Sequence, residues 1–229
     1  MLNETELKII AAFFPEGTER ATKEIENRSG YSHERVYSTL AALEKKELLT
    51  KKKVGKTLVY SIAKFNDAIY LGFAYYSIDK KEQFIKKYPL IWNALEEFMN
   101  KSKPELAILF GSYSKGEAKE RSDIDILCIG EGDKIEMSET AIRNLAASAR
   151  SKKTVSEHAQ EHAPYFSTSV LDKIALSLRH KYAFKISPAI VKKNDFKNIK
   201  TENPEFWSDI INLGIVLKGQ ELFYELVYG

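Results

Sequence analysis

Two short strings in this sequence set chemistry-bearing residues at a telling spacing. Phe110-Gly111-Ser112 is followed, ten residues later, by Asp123-Ile124-Asp125-Ile126-Leu127. A glycine lets backbone approach a ligand closely. Backbone N–H groups of such a turn, with a serine hydroxyl, suit phosphate oxygens. Side chains of a strand alternate in direction, so Asp123 and Asp125 share one face and Ile124 and Ile126 take the other. Paired carboxylates offer the hard oxygen ligands Mg²⁺ prefers, with substrate phosphates completing the octahedron. A cation held there neutralises triphosphate charge and helps activate an incoming hydroxyl. Between the strings, 113–121 reads as a polar loop whose Lys115 and Arg121 are available to an anion.

These residues need a sheet to hold them. Leu106 to Phe110 is an apolar run read as a buried strand, and 123–129 reads as a second strand. Residues 134–153 have Ile142, Leu145, Ala146 and Ala149 at helical spacing, and 170–182 reads as another helix. The returning strand is expected at 184–192, FKISPAIVK, which contains no acid. The C-terminal stretch from Asn203 reads as helix, short strand and helix, with Trp207, Ile210, Ile211, Ile215 and Val216 as core. His158 and His162 stand four apart, but the residues between them lack the zinc-protease pattern and no cysteine is near. A polar insertion is the default reading there.

The Gly-Ser, ten-residue, Asp-x-Asp string, with Gly116-Glu117 and Ser122 inside it, resembles the signature of minimal nucleotidyltransferases of the DNA polymerase β-like superfamily. That resemblance implies an α/β domain of the α+β type with a mixed sheet over 104–229. It implies phosphate contacts from Gly111 and Ser112, and Mg²⁺ ligation by Asp123 and Asp125 as the catalytic pair. The ligand is an NTP, with ATP the first choice. The family also supplies a third carboxylate from a later strand; here Ser187 and Pro188 lie where it would stand, and Asp172 and Glu157 are alternatives under a different topology.

The first 63 residues have a different pattern. Apolar positions Leu7, Ile10, Ala11 and Phe14 mark one helix, 21–28 fits a second, and Ser32 stands before a third that buries Val36, Leu40 and Leu43. Residues 49–62 read as a hairpin turning at Gly55. Together, residues 4–62 resemble the winged helix-turn-helix of archaeal and bacterial transcription regulators, and the "FW…GIVL-x-G" tail resembles archaeal fusions of such a module to a nucleotidyltransferase. DNA contacts are then expected from His33, Arg35, Tyr37 and Ser38 at the start of the third helix, and from Lys51, Lys52, Lys53 and Lys56 on the hairpin. Residues 64–103 read as a helical connector broken at Pro89; its apolar stripes either pack the two domains together or form a homodimer interface.

Composition sets bounds. The chain has 229 residues, 44% hydrophobic and 29% charged, with a formal net charge of +3. That balance is ordinary for a globular protein and carries no nucleic-acid argument by itself. A single cysteine, Cys128, excludes an intrachain disulfide framework, and it falls in an apolar run. Neither a signal peptide nor a membrane-length apolar run is present, so a cytoplasmic protein without membrane contact is expected. Two functions stay open. One is transfer of a nucleoside monophosphate to an unidentified hydroxyl, a protein's among the candidates, coupled to DNA binding. The other is nucleotide sensing by a regulator.

Overall fold

Asn3 starts the first helix with a reciprocal cap. Its side chain accepts from the Glu6 N–H at 2.9 Å, and the Glu6 carboxylate accepts from the Asn3 N–H at 3.0 Å. The computed structural model describes residues 1–17, 19–130 and 170–229. From this start the chain forms α1 (Glu4–Ala11), β1 (Arg20–Ala21), α2 (Thr22–Ser29), α3 (His33–Lys45) and the hairpin β2 (Leu49–Val54) and β3 (Thr57–Ile62). Ser32 stands at the N-cap of α3 without a side-chain capping bond. The hairpin turns at Gly55, at φ +60°, as expected, with Lys51 opposite Tyr60 and Val54 opposite Thr57. β1 was not anticipated: two residues carry no periodicity, and it exists because it pairs with β3 to give the order β1-β3-β2.

The chain then runs through α4 (Asp67–Lys87) and α5 (Pro89–Ser102), with Pro89 in the first turn of α5, where its missing N–H leaves no gap. It divides into two compact units, Met1–Lys80 with Phe223–Gly229, and Lys81–Leu222. The first is centred on aromatic side chains: Phe73 is 1% exposed, and Phe14 meets it edge-on at 5.2 Å. Phe223 stacks on Phe73 at 5.7 Å, and Tyr228 meets Phe14 at 5.3 Å. Fully burying one such ring contributes about 3 kcal/mol. The last turns of the chain are thus part of the N-terminal unit's own core.

The second unit is built on a four-stranded mixed sheet. Its strands are β4 (Leu106–Phe110), β5 (Ile124–Ile129), β6 (Ile186–Val191) and β7 (Ile215–Lys218), in the order β6-β5-β4-β7. β4 is buried at every position, as an interior strand covered on both faces must be. β5 runs antiparallel to β4 and parallel to β6, and β7 is antiparallel to β4. Pro188 is tolerated because β6 lies at the edge of the sheet among the described residues. One face, with Ala107, Leu109, Ile124, Ile126 and Cys128, packs on α5 and on α7 (Val170–Tyr182). Phe98 from α5 is fully buried in that layer. Burial pushes the Cys128 thiol up to about 12, so it behaves as the small hydrophobe expected of it.

Between the strands lies α6 (Gly111–Lys115), and after β6 come α8 (Lys193–Phe196), α9 (Ile199–Glu202), α10 (Pro204–Asn212) and, past β7, α11 (Gln220–Tyr228). Phe206 of α10 packs edge-on against Phe110 at 5.3 Å, and Trp207 lies half-buried 5.2 Å from Phe196. The expected helix at 134–153 and the residues Glu157, His158 and His162 lie outside the described residues. Among the described residues no helix is long and apolar enough to cross a membrane.

Candidate active site

The loop expected at 113–121 begins instead as a helical turn. α6 follows β4 without a break, because Tyr113 turns inward to 6% exposure and packs edge-on against Tyr88 at 5.3 Å. The polar letters around Tyr113 hide this anchor, and only the buried ring converts the loop into helix. Ser114 Oγ donates to the Gly111 carbonyl at 3.0 Å, and the Glu117 N–H closes the turn on the Ser112 carbonyl at 2.9 Å.

Gly111 sits at φ +72°, a region that L side chains rarely adopt. A Cβ built there would overlap Asp125 Oδ2 and lie 3.2 Å from Asp125 Cγ. The glycine therefore makes room for the Asp125 carboxylate against the β4–α6 junction. Asp125 is half-buried and stands opposite Phe110 on β4 and opposite Ser187 on β6. Ile124 and Ile126 point into the α5–α7 layer, so Asp125 faces away from it.

Asp123 precedes β5 by one residue. Parallel pairing starts with the Ile124 N–H donating to the Lys185 carbonyl at 2.8 Å, which sets Asp123 beside Lys185. The Lys185 ammonium forms a short ion pair with Asp123 Oδ2, and the Ser187 hydroxyl lies 3.4 Å from the same oxygen. Lys185 was not singled out from the sequence. The available signal was its parity: residues 185 and 187 share a strand face as 123 and 125 do. The expected returning strand is present, and the register sets Ser187, not a carboxylate, next to Asp125. Asp172, Arg179, Lys185 and Ser187 line a cleft of about 140 Å³ between α7 and β6.

The remaining anion-binding candidates are dispersed. Ser112 is half-buried at the start of α6. Lys115 points to α10 and pairs with Asp209 at 2.7 Å. Arg121 is exposed, and Ser122 Oγ accepts from the Lys119 N–H at 2.8 Å, which shapes the turn into β5. Among the described residues no three His, Cys, Asp or Glu side chains gather as a metal-binding group. Asp123 and Asp125 could serve as hard-oxygen donors. Such a pair fits a cation that arrives with oxygen ligands of its own, as a nucleotide-bound Mg²⁺ does.

In the N-terminal unit the first turns of α3 present His33, Arg35, Tyr37 and Ser38 at the surface. His33 Nδ1 is 2.6 Å from Glu26 Oε1, and its ring stacks over Tyr37 at 6.2 Å. Hydrogen bonds from Lys23 and His33 hold the Glu26 carboxyl below the usual range. Arg35 donates to Thr5 Oγ1 at 2.7 Å and covers the Tyr31 ring, and Ser38 Oγ donates to the Arg35 carbonyl at 3.1 Å. On the hairpin, Lys51 pairs with Glu44 at 2.7 Å and Lys52 with Glu19. Lys53 and Lys56 are exposed and pair with no carboxylate among the described residues.

Comparison with known proteins agrees with the geometry of the second unit. Over 118 residues the chain is 31% identical to a Methanocaldococcus jannaschii protein named "Putative protein adenylyltransferase", a match covering 49% of this chain. The chain spans 61% of that relative's length. No solved structure matches the chain. The nucleotidyltransferase domain family matches residues 91–209, from α5 through both site strands to α10. With half of its length inside that match, including Gly111, Ser112, Asp123 and Asp125, this chain belongs to the nucleotidyltransferase domain family.

Proposed function

We propose that this protein transfers a nucleoside monophosphate from an NTP, ATP first, to a hydroxyl on a protein acceptor. The observation that carries this is the seating of the Asp125 carboxylate against Gly111, whose missing side chain leaves space for it, with Asp123 two residues before it. The name of the archaeal relative supports adenylyl transfer and a protein acceptor. Bound Mg²⁺ supplies positive charge to the triphosphate. Asp123 and Asp125 hold that cation, and Gly111 and Ser112 receive phosphate oxygens at the start of α6. Arg121 adds positive charge beside the site, and Lys115 adds its own on leaving Asp209 for a phosphate oxygen. The acceptor hydroxyl gives its proton to solvent as its oxygen bonds to the α-phosphorus, the bond between α-phosphorus and bridging oxygen breaks, and pyrophosphate leaves with its electron pair. Most of the acceleration comes from positioning and charge neutralisation.

The test is incubation with labelled ATP, CTP, GTP or UTP and Mg²⁺, reading pyrophosphate release and label on candidate protein acceptors. Label transfer with matching pyrophosphate is expected, ATP giving the most. A second reading, nucleotide sensing by a regulator, is favoured by Ser187 standing opposite Asp125 on β6. NTP binding without release of pyrophosphate would decide for sensing.

The N-terminal unit is read as a winged helix-turn-helix that brings this site to DNA. Three helices with the sheet order β1-β3-β2 and a lysine-bearing hairpin support that reading. His33, Arg35, Tyr37 and Ser38 would meet base edges, and the hairpin lysines would meet phosphates. Glu44 and Glu19 already pair with Lys51 and Lys52, so Lys53 and Lys56 are expected to release most of the counterions. Replacing Lys53 and Lys56 by Ala should reduce the slope of log affinity against log salt by about 2. An unchanged slope removes the hairpin from the interface.

A further inference from the structure

Lys185 has no part in the function as stated above, yet it lies closer to the site carboxylates than any other described cation. Its ammonium is bonded to Asp123 Oδ2, the oxygen that Ser187 Oγ also approaches. The Asp123 side chain is 29% exposed and the Lys185 side chain 42%, so the pair can open without unfolding anything. The open cleft that Lys185 shares with Arg179, Asp172 and Ser187 gives its flexible stem room to move.

A divalent cation at Asp123 and the Lys185 ammonium on its Oδ2 repel each other, so each weakens the binding of the other. No three acidic or imidazole groups gather here, among the described residues, to outweigh the lysine. A bare cation therefore competes with Lys185 for Asp123, whereas a cation arriving on a nucleotide brings phosphate oxygens to which the displaced ammonium can turn.

Resting on the cation–nucleotide site read above, we infer that Lys185 is an exchangeable counter-ion. It holds Asp123 while the site is empty, moves to a phosphate oxygen of the bound nucleotide when the cation takes Asp123, and so makes cation binding depend on nucleotide. Lys185 then has two partners in turn, a carboxylate and a phosphate, both of which an ammonium serves equally well.

The test uses Mn²⁺ alone on the full chain, with free Mn²⁺ read by electron paramagnetic resonance, so no turnover is needed. Lys185→Met should bind Mn²⁺ about two- to fivefold more tightly than the unaltered protein, as expected for removing a competitor worth one partly exposed ion pair. Lys185→Arg keeps the charge and should stay near the unaltered value. Adding an ATP analogue with a methylene between the α- and β-phosphorus should tighten Mn²⁺ binding strongly in the unaltered protein and much less in Lys185→Met. Damage to the fold would weaken Mn²⁺ binding, so a gain in affinity cannot arise that way. Equal or weaker Mn²⁺ binding by Lys185→Met in the absence of nucleotide overturns the inference. Failure of label transfer to every acceptor would instead remove the transfer reading and leave this result standing.

Discussion

Replacing Asp123 and Asp125 together by Asn should abolish transfer while leaving the protein folded. Both changes keep side-chain shape and remove the two negative charges that a cation needs, and an amide oxygen is a poor replacement for a carboxylate at a hard dication. The loss in rate should be roughly a thousandfold or more, since a few kcal/mol of transition-state stabilisation disappears at tenfold per 1.4 kcal/mol. The single variants should differ. Asp123→Asn also releases Lys185 from its ion pair, whereas Asp125→Asn leaves that pair intact. Label transfer and pyrophosphate release, with a thermal melt to show that the fold persists, measure the effect. Undiminished turnover in the double variant would refute the assignment of both residues.

Gly111→Ala should be nearly as damaging, for a steric reason. The added Cβ meets Asp125 Oδ2, so the carboxylate must leave its position. A displacement on the order of 1 Å at a catalytic group costs about a hundredfold in rate. The positive φ adds about 1 kcal/mol of backbone strain, which lowers the melting temperature without touching the chemistry. Gly55→Ala separates the two contributions. Its φ is +60°, but nothing lies within 4 Å of the added carbon, so it should lose a similar amount of stability and keep its transfer rate. If Gly111→Ala and Gly55→Ala lose transfer equally, the carboxylate is not what Gly111 accommodates.

Much of the second unit is legible in the sequence because its local preferences and its tertiary packing agree. The run Leu106–Phe110 is apolar throughout and becomes the interior strand. Alternation in Ile124-Asp125-Ile126 puts the isoleucines in the core and the carboxylate outside it. Pro89 breaks the helical stretch where expected. The same agreement holds for the hairpin at Gly55.

The misreadings also have physical causes. β1 is two residues long and owes its existence to β3, so nothing local marks it. The turn Gly111–Lys115 looks polar because four of its five letters have no apolar chain, yet one buried ring, Tyr113, decides its conformation. Lys115 reads as a loop cation in the sequence, and its ion pair with Asp209, almost a hundred positions away, is something no local pattern announces.

The placement of Gly111 and Ser112 at the end of one strand, and of Asp123 and Asp125 along the next, was readable from type and spacing, because a turn after a strand and alternation along a strand are local properties. Their surroundings were not. The pairing of Asp123 with Lys185, and of Asp125 with Ser187, depends on the parallel register of β5 and β6, strands separated by more than fifty residues. Register is set by how buried faces match across the sheet, a non-local condition that no single segment encodes. The sequence by itself determined which side chains could do the chemistry. Tertiary structure decided which charge stands beside them.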